Sequence, residues 1–467
     1  MRLMNPQFPS RRRRLHAHRA LPWALLWLAA WAAAPAAARC LDEESLQAFT
    51  AGDVTAGAAS AAVVEPRVLL QQMVRDALVR SNAVGATALL AEAAVLDINE
   101  ARSAKAVQAN VGGGFGPGGT KTVGIAETAA VQLRASLSVS KTVYDGGRVD
   151  RLVDWRTQLA ESARYGHLSQ QEQISLMTVT LALERSRYRS QTQVYRQSAR
   201  KMSCLVEALE TIVRADRGRA SELVQAQKSL QQAELAQEQS QSMVRQIEIR
   251  LRRLVGDGLP PTDGLSTVFA GVPALDQLVA DVEKSPDIGA LNAQAAAAGR
   301  YASAVEVSSR PVVSLAASGN AAISQGGSRG NSQNGTYSVG VLFNVPLLSP
   351  GLESATDAAR KRAQAARLQR ADEVESRRFR VAEIHEQALS SVDRARRVAA
   401  VLRESEQVRN FTLQQWQQLG RRSLFDVMGA EAEHYSLRVA YVNALHDVQM
   451  FNANLLALGR GVGEWLR

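Results

Sequence analysis

A chain of 467 residues with a formal net charge of +10 and 5% aromatic residues is long enough for several domains but poor in the side chains that fill a large globular core. Arg2, Arg11 to Arg14 and Arg19 lie in the first 38 residues with no acid among them, so only +4 of the charge remains beyond that segment, which argues against nucleic-acid binding. Two cysteines, Cys40 and Cys204, are too few for a disulfide framework or a cysteine-ligated cluster.

Residues 1–38 read as an export signal. Basic residues precede the apolar run Leu21 to Ala34, which is too short to span a bilayer, and Ala36-Ala37-Ala38 forms a small-residue cleavage site. Residues 39–64 are an Ala/Gly/Ser-rich leader, expected to be flexible. Arg39 stands where a lipidated cysteine needs a small residue, so lipidation of Cys40 is not expected.

Residues 65–258 form a first structural repeat. Leu69, Leu70, Met73, Val74, Ala77 and Leu78 recur at helical spacing, and one helix is expected to run on to about Lys105. The period then becomes two, giving a β-hairpin over 107–143 with a glycine-rich tip at Gly116 to Gly119. Val131, Leu133, Ala135, Leu137 and Val139 share one face, and Gln132, Arg134, Ser136, Ser138 and Ser140 the other. Asp145-Gly146-Gly147 then turns the chain into a helical hairpin over 147–255. Its heptad ladder runs Ile174, Leu181, Tyr188, Tyr195, Met202, Leu209, partnered by Met177, Leu205 and Ile212. Asp216 to Arg219 interrupts it.

Residues 259–467 repeat this order: a helix, a β-hairpin over 311–347, the turn Ser349-Pro350-Gly351, and a helical hairpin over 351–459. At a fixed offset of 204, Ser81 matches Ser285, Gly147 matches Gly351, and the apolar strand faces agree in phase, which marks an internal duplication.

Strands of about ten residues with one apolar face have the pattern of outer-membrane barrel strands. Four strands cannot close a barrel, and an open edge cannot lie in lipid, so several chains must share one. Three chains supply about twelve strands, wide enough for a pore, where about eight would be filled by side chains. With long helices continuing from the strands, the object is a duct. The expected fold is mainly α, internally duplicated, with a coiled-coil α-barrel joined to a shared 12-stranded transmembrane β-barrel in a homotrimer.

Four stretches, Lys141 to Arg148 (KTVYDGGR), Asn344 to Gly351 (NVPLLSPG), Asp216 to Ala226 (DRGRASELVQA) and Gly420 to Glu431 (GRRSLFDVMGAE), give the chain a specific likeness. Over about Glu65 to Trp465 it resembles the TolC-like outer-membrane efflux proteins of Gram-negative bacteria. The resemblance implies a homotrimer in the outer membrane that extends into the periplasm. Its helix tips would dock a periplasmic adaptor (a membrane fusion protein), which links them to an inner-membrane ABC transporter or proton-driven pump. Gly218 and Gly420 would sit at the tip turns, and Glu222 and Asp426 just beyond them near the lumen. Arg219, Arg421 and Arg422 would form interhelical ion pairs when the tips are closed. The family often carries a second acid three residues after the position of Asp426, where this chain has Gly429, so no acidic ring is expected there. Asp145, Gly146, Gly147, Pro350 and Gly351 would hinge barrel to helices, with turn geometry mattering more than the acid.

Neither a catalytic constellation nor a cofactor or metal site stands out. His385 and His434 have Glu neighbours but lack a metal-pair spacing, and Gly112 to Gly119 lacks the Lys-Ser/Thr of a phosphate loop. The function expected is a passive exit duct, not an enzyme. The Tyr144 to Arg148 turn and Arg217 to Ser221 tip favour type I protein secretion, with drug efflux as the alternative. A soluble periplasmic coiled-coil adaptor is the reading from another class.

Overall fold

The computed structural model describes residues 65–120, 128–262, 264–269, 271–325, 332–347, 349–419 and 421–467. The export signal, the leader with Cys40, part of each β-hairpin tip and Gly420 lie outside these residues.

Where the sequence suggests one opening helix, the chain forms two, α1 (Pro66–Arg80) and α2 (Asn82–Ser103), bent by 60°. Ser81 is the cause. Its backbone is extended, and its Oγ accepts the Val84 N–H at 3.3 Å, so it caps α2 and ends α1. Among the described residues no single helix is long and apolar enough to cross a membrane.

The strands are β1 (Gln108–Thr120), β2 (Thr128–Tyr144), β3 (Val312–Gln325) and β4 (Ser332–Asn344). They form one antiparallel sheet in the order β1-β2-β3-β4, so strands from both halves of the chain pair at its centre. The register keeps each face uniform. Val111, Leu137, Gly319 and Tyr337 form one row, and Ala109, Val139, Ala317 and Val339 the next. Asn110, Ser138, Ser318 and Ser338 form a row on the opposite face, where the Ser318 and Ser338 hydroxyls are 2.9 Å apart. The apolar face is open: Tyr337 is 91% exposed and Val111 82%. A register shift between Thr142 and Tyr144 ends the regular pairing of β2 with β3.

From β2 the chain enters α3 (Arg148–Ala215), whose 68 residues rise about 100 Å. It returns through α4 (Ala220–Val255). The connector leads to α5 (Leu275–Asp281) and α6 (Pro286–Glu306). After β4 come α7 (Pro350–Leu419), α8 (Leu424–Leu458) and α9 (Val462–Leu466). The starts of β3, β4 and α8 follow those of β1, β2 and α4 by 204 residues, and Ser285, the residue before α6, lies at the same remove from Ser81, although its side chain makes no capping hydrogen bond. The start of α7 follows that of α3 by 202, so the two halves depart from each other at the strand-to-helix turn.

Narrow seams supply the core. Val179 and Leu183 of α3 pack with Leu70 and Met73 of α1, Ile247 and Leu251 of α4, and Phe269 of the connector. Nearer the tips, Met202, Leu205 and Leu209 meet Ala226 of α4 and Leu424 and Val427 of α8. Ile174, Leu181, Met202 and Leu209 of the heptad ladder are buried. Met177 is not on the seam: it is 50% exposed. The connector is tied down by Arg185, which donates to Glu248 Oε1 at 2.9 Å and to the Pro260 carbonyl at 2.6 Å.

Candidate functional site at the junctions and helix tips

At the first junction three adjacent residues do different work. Gly146 and Gly147 have φ of +65° and +83°, a region that side chains with a Cβ rarely enter. A Cβ on Gly146 would lie 2.5 Å from Cβ of Arg310, whose guanidinium donates to the Gly146 carbonyl at 3.0 Å. Asp145 is buried. Its Oδ1 accepts the Gly147 N–H at 3.0 Å and its Oδ2 the Val149 N–H at 2.7 Å, satisfying donors at the start of α3 that the helix itself leaves open. The expectation that turn geometry matters more than the acid therefore needs correction here, because the carboxylate builds that geometry.

The second junction is simpler. Pro350 opens α7, where its missing N–H costs nothing, and the Ser349 carbonyl accepts the Leu352 N–H at 2.9 Å. Gly351 is not left-handed, and a Cβ there would meet nothing within 4 Å.

The first tip is a 3₁₀ turn over Arg217–Arg219. Asp216 Oδ1 accepts the Gly218 N–H at 3.0 Å, and Gly218 sits at the turn without a positive φ. Arg219 donates to Glu222 Oε2 from Nε at 3.1 Å and Nη2 at 2.8 Å. At the second tip Ser423 and Asp426 cap α8 reciprocally: the Ser423 N–H reaches Asp426 Oδ2 at 3.1 Å, and the Asp426 N–H reaches Ser423 Oγ at 3.3 Å. Arg421 donates its backbone N–H to Gln415, and Arg422 donates to Gln415 Oε1 at 3.2 Å while lying 4.0 Å from Asp426 Oδ2. Both tip ion pairs are thus local, three and four residues apart, and neither joins two helices within the protomer.

Glu172 carries no sequence signal, yet its mostly buried carboxylate accepts the N–H groups of Val462 and Gly463 and holds α9 against α3. Burial pushes its pKa up to about 6, against the two backbone hydrogen bonds. His446 is buried, with Nδ1 2.9 Å from the Val442 carbonyl and Nε2 3.2 Å from Ser186 Oγ, and burial lowers its pKa. His434 is buried with its ring against Tyr435. Among the described residues no three His, Cys, Asp or Glu side chains gather as a metal site.

Neither the protein-family models nor the curated proteins include a match to this sequence. Solved structures do match in shape. The outer membrane protein VceC from Vibrio cholerae superposes with a TM-score of 0.70 at 18% identity, over 84% of this chain and 97% of that one. The open-state MtrE outer membrane channel of Neisseria gonorrhoeae gives 0.69 at 16% identity, over 85% and 89%. A membrane protein from Pseudomonas aeruginosa gives 0.74 at 16%, over 86% and 96%. The chain thus shares its mostly helical fold with these membrane proteins, the MtrE outer membrane channel among them, in keeping with its likeness to the TolC-like proteins.

Proposed function

We propose that this chain is one protomer of a trimeric outer-membrane exit duct of a Gram-negative tripartite export system. One observation carries the reading: a four-stranded sheet, apolar on one face and polar on the other, runs straight into helices about 100 Å long. Such a sheet suits lipid on one side and water on the other, and its outer edges at β1 and β4 suit pairing with neighbouring copies into a closed twelve-stranded barrel. The matched element order of the two halves supports an internal duplication, in which each half contributes two strands and one helical hairpin. The similarity of fold to outer-membrane channels supports the location. A periplasmic adaptor would dock at the tips and couple the duct to an inner-membrane pump; the duct itself has neither catalytic role nor cofactor.

Membrane fractionation with heat-sensitive gel mobility tests this reading. The expected product sediments with outer membrane and migrates as an oligomer until boiled. A purely soluble monomer defeats the duct in favour of a periplasmic scaffold. The tips are proposed as the gate, through Arg219, Arg421, Arg422, Glu222 and Asp426 around Gly218 and Gly420. Arg422→Ala with Asp426→Ala should raise single-channel conductance in planar bilayers, and unchanged conductance removes this pair from the gate.

For cargo, the turn and tip motifs favour type I protein secretion, while small-molecule efflux fits the fold at least as well. Co-purification of the inner-membrane partner separates them: an ABC transporter with a secreted protein, or a proton-driven pump.

A further inference from the structure

The described parts of the four strands contain only two charged side chains, Arg134 and Lys141, and neither is acidic. The register puts them on opposite faces. Lys141 belongs to the apolar face, opposite Leu315 near the helical end, where a long stem can lie along lipid and carry its ammonium to the headgroups. Arg134 belongs to the polar face, in a row with Gly114, Ala322 and Asn334. Its flanking neighbours, Gly114 and Ala322, are small, which leaves room for the guanidinium. Arg134 Nε donates to Gln132 Oε1 at 2.9 Å, and Gln132 in turn donates to the Gly118 carbonyl at 3.3 Å. These partners are neutral. No carboxylate among the described residues lies within ion-pair distance of Arg134, so among them its charge is positioned but not neutralised.

We propose that Arg134 makes the barrel lumen anion-selective: three copies, one per protomer, form a ring of positive charge that favours small anions and anionic cargo. This rests on the duct reading, which turns the polar face inward. The lumen face of the described strands otherwise holds serine, asparagine, glutamine, threonine and small or apolar residues, so nothing at that level opposes the ring. At about 0.1 M salt the Debye length is about 10 Å, enough for wall charges to be felt well into the pore, whereas at 1 M it is about 3 Å. A ring of like charge in a confined, low-dielectric wall raises local counter-ion concentration.

The test measures chloride over potassium permeability from the reversal potential in a potassium chloride gradient, with the full-length protein in planar bilayers. The native duct should favour chloride at least about twofold in dilute salt, and the preference should shrink as both salt concentrations rise. Arg134→Lys should keep the preference, Arg134→Ser should bring the ratio to about one, and Arg134→Glu should invert it. Lys121, Glu127 and Arg329 in the hairpin tips stay in every variant, so the differences read Arg134 alone. A conducting native channel that favours potassium, or an Arg134→Ser channel with unaltered selectivity, overturns this inference and leaves the duct standing. A chain that forms no conductance under any condition overturns the duct and this inference with it.

Discussion

The two strand-to-helix junctions occupy matching places in the two halves and are built on different chemistry. The first uses left-handed glycines, a buried carboxylate as helix cap and an arginine, Arg310, reaching over from just before β3. The second uses a proline at the first helical position and a single backbone hydrogen bond. The helix after the second turn starts two residues earlier than the 204-residue offset would place it. Matching position therefore does not fix matching residue roles, and the first junction should tolerate far less change.

The largest expected effect follows from that asymmetry. Gly146→Val would put a β-branched residue at φ +65° with its Cβ against Arg310, at a cost of about 3 kcal/mol. Gly351→Val meets open space in the first turn of α7 and should stay within about 0.5 kcal/mol. Thermal unfolding in detergent would compare the two, and equal losses would erase the distinction between the junctions.

A titratable asymmetry comes next. The position 204 residues after Glu172 is Ser376, so only the first half carries this carboxylate. The folded Glu172 pKa of about 6 lies above the ordinary 4.5, so the folded chain binds more protons than the unfolded chain between those values. Stability should therefore fall as pH rises from about 4.5 to about 6, by about 2 kcal/mol in all. Glu172→Gln should flatten that slope, as measured by denaturant midpoints across the window. A slope that survives in Glu172→Gln assigns it to another group.

The caps differ by a smaller amount. Asp145→Ala strips two backbone N–H groups of their acceptor and should cost about 1 to 2 kcal/mol. Ser349→Ala keeps the carbonyl that accepts from Leu352 and should cost less than about 0.5 kcal/mol. The same unfolding assay decides, and similar losses would mean that Ser349 also caps.

These contrasts show how far the sequence could be read. Strand faces were legible because a period of two over ten or more residues admits one register, and the observed rows keep Val111, Leu137 and Tyr337 together. The buried rungs Met202 and Leu209 were legible for the corresponding reason in helices. The break at Ser81 was not, because a serine inside an apolar helical pattern is as compatible with a solvated position as with a cap. The role of Asp145 was not legible either, because its counterpart 204 residues on, Ser349, is not an acid and nothing in the sequence marks the two turns as built differently. Glu172 left no local trace, because its partners Val462 and Gly463 lie about 290 residues away in sequence. Arg134 was visible as a polar-face residue, but its lack of an acidic neighbour among the described residues emerged only from the cross-strand register and side-chain contacts.

The smallest effects lie at the tips, where the two halves again differ. Arg219 and Glu222 meet at 2.8 Å with the carboxylate 16% exposed, whereas Arg422 and Asp426 lie 4.0 Å apart with side chains 54% and 45% exposed. An exposed, long pair contributes close to nothing, and a short, half-buried one at most about 1 kcal/mol. Asp426 matters to stability through the Ser423 N–H that it accepts, a cap worth about 1 kcal/mol. The expected order of destabilisation is thus Asp426→Ala, then Glu222→Gln, then Arg422→Ala, with the last near zero. Double-mutant cycles on the two pairs check it: coupling between Arg422 and Asp426 as large as that between Arg219 and Glu222 would mean that the second tip is held by its ion pair and not by its cap. The order bears on gating as well. In the trimer proposed above, a pair that adds nothing to the folding of its own protomer would leave Arg422 able to exchange partners across a three-fold axis, whereas Arg219 would first have to give up Glu222.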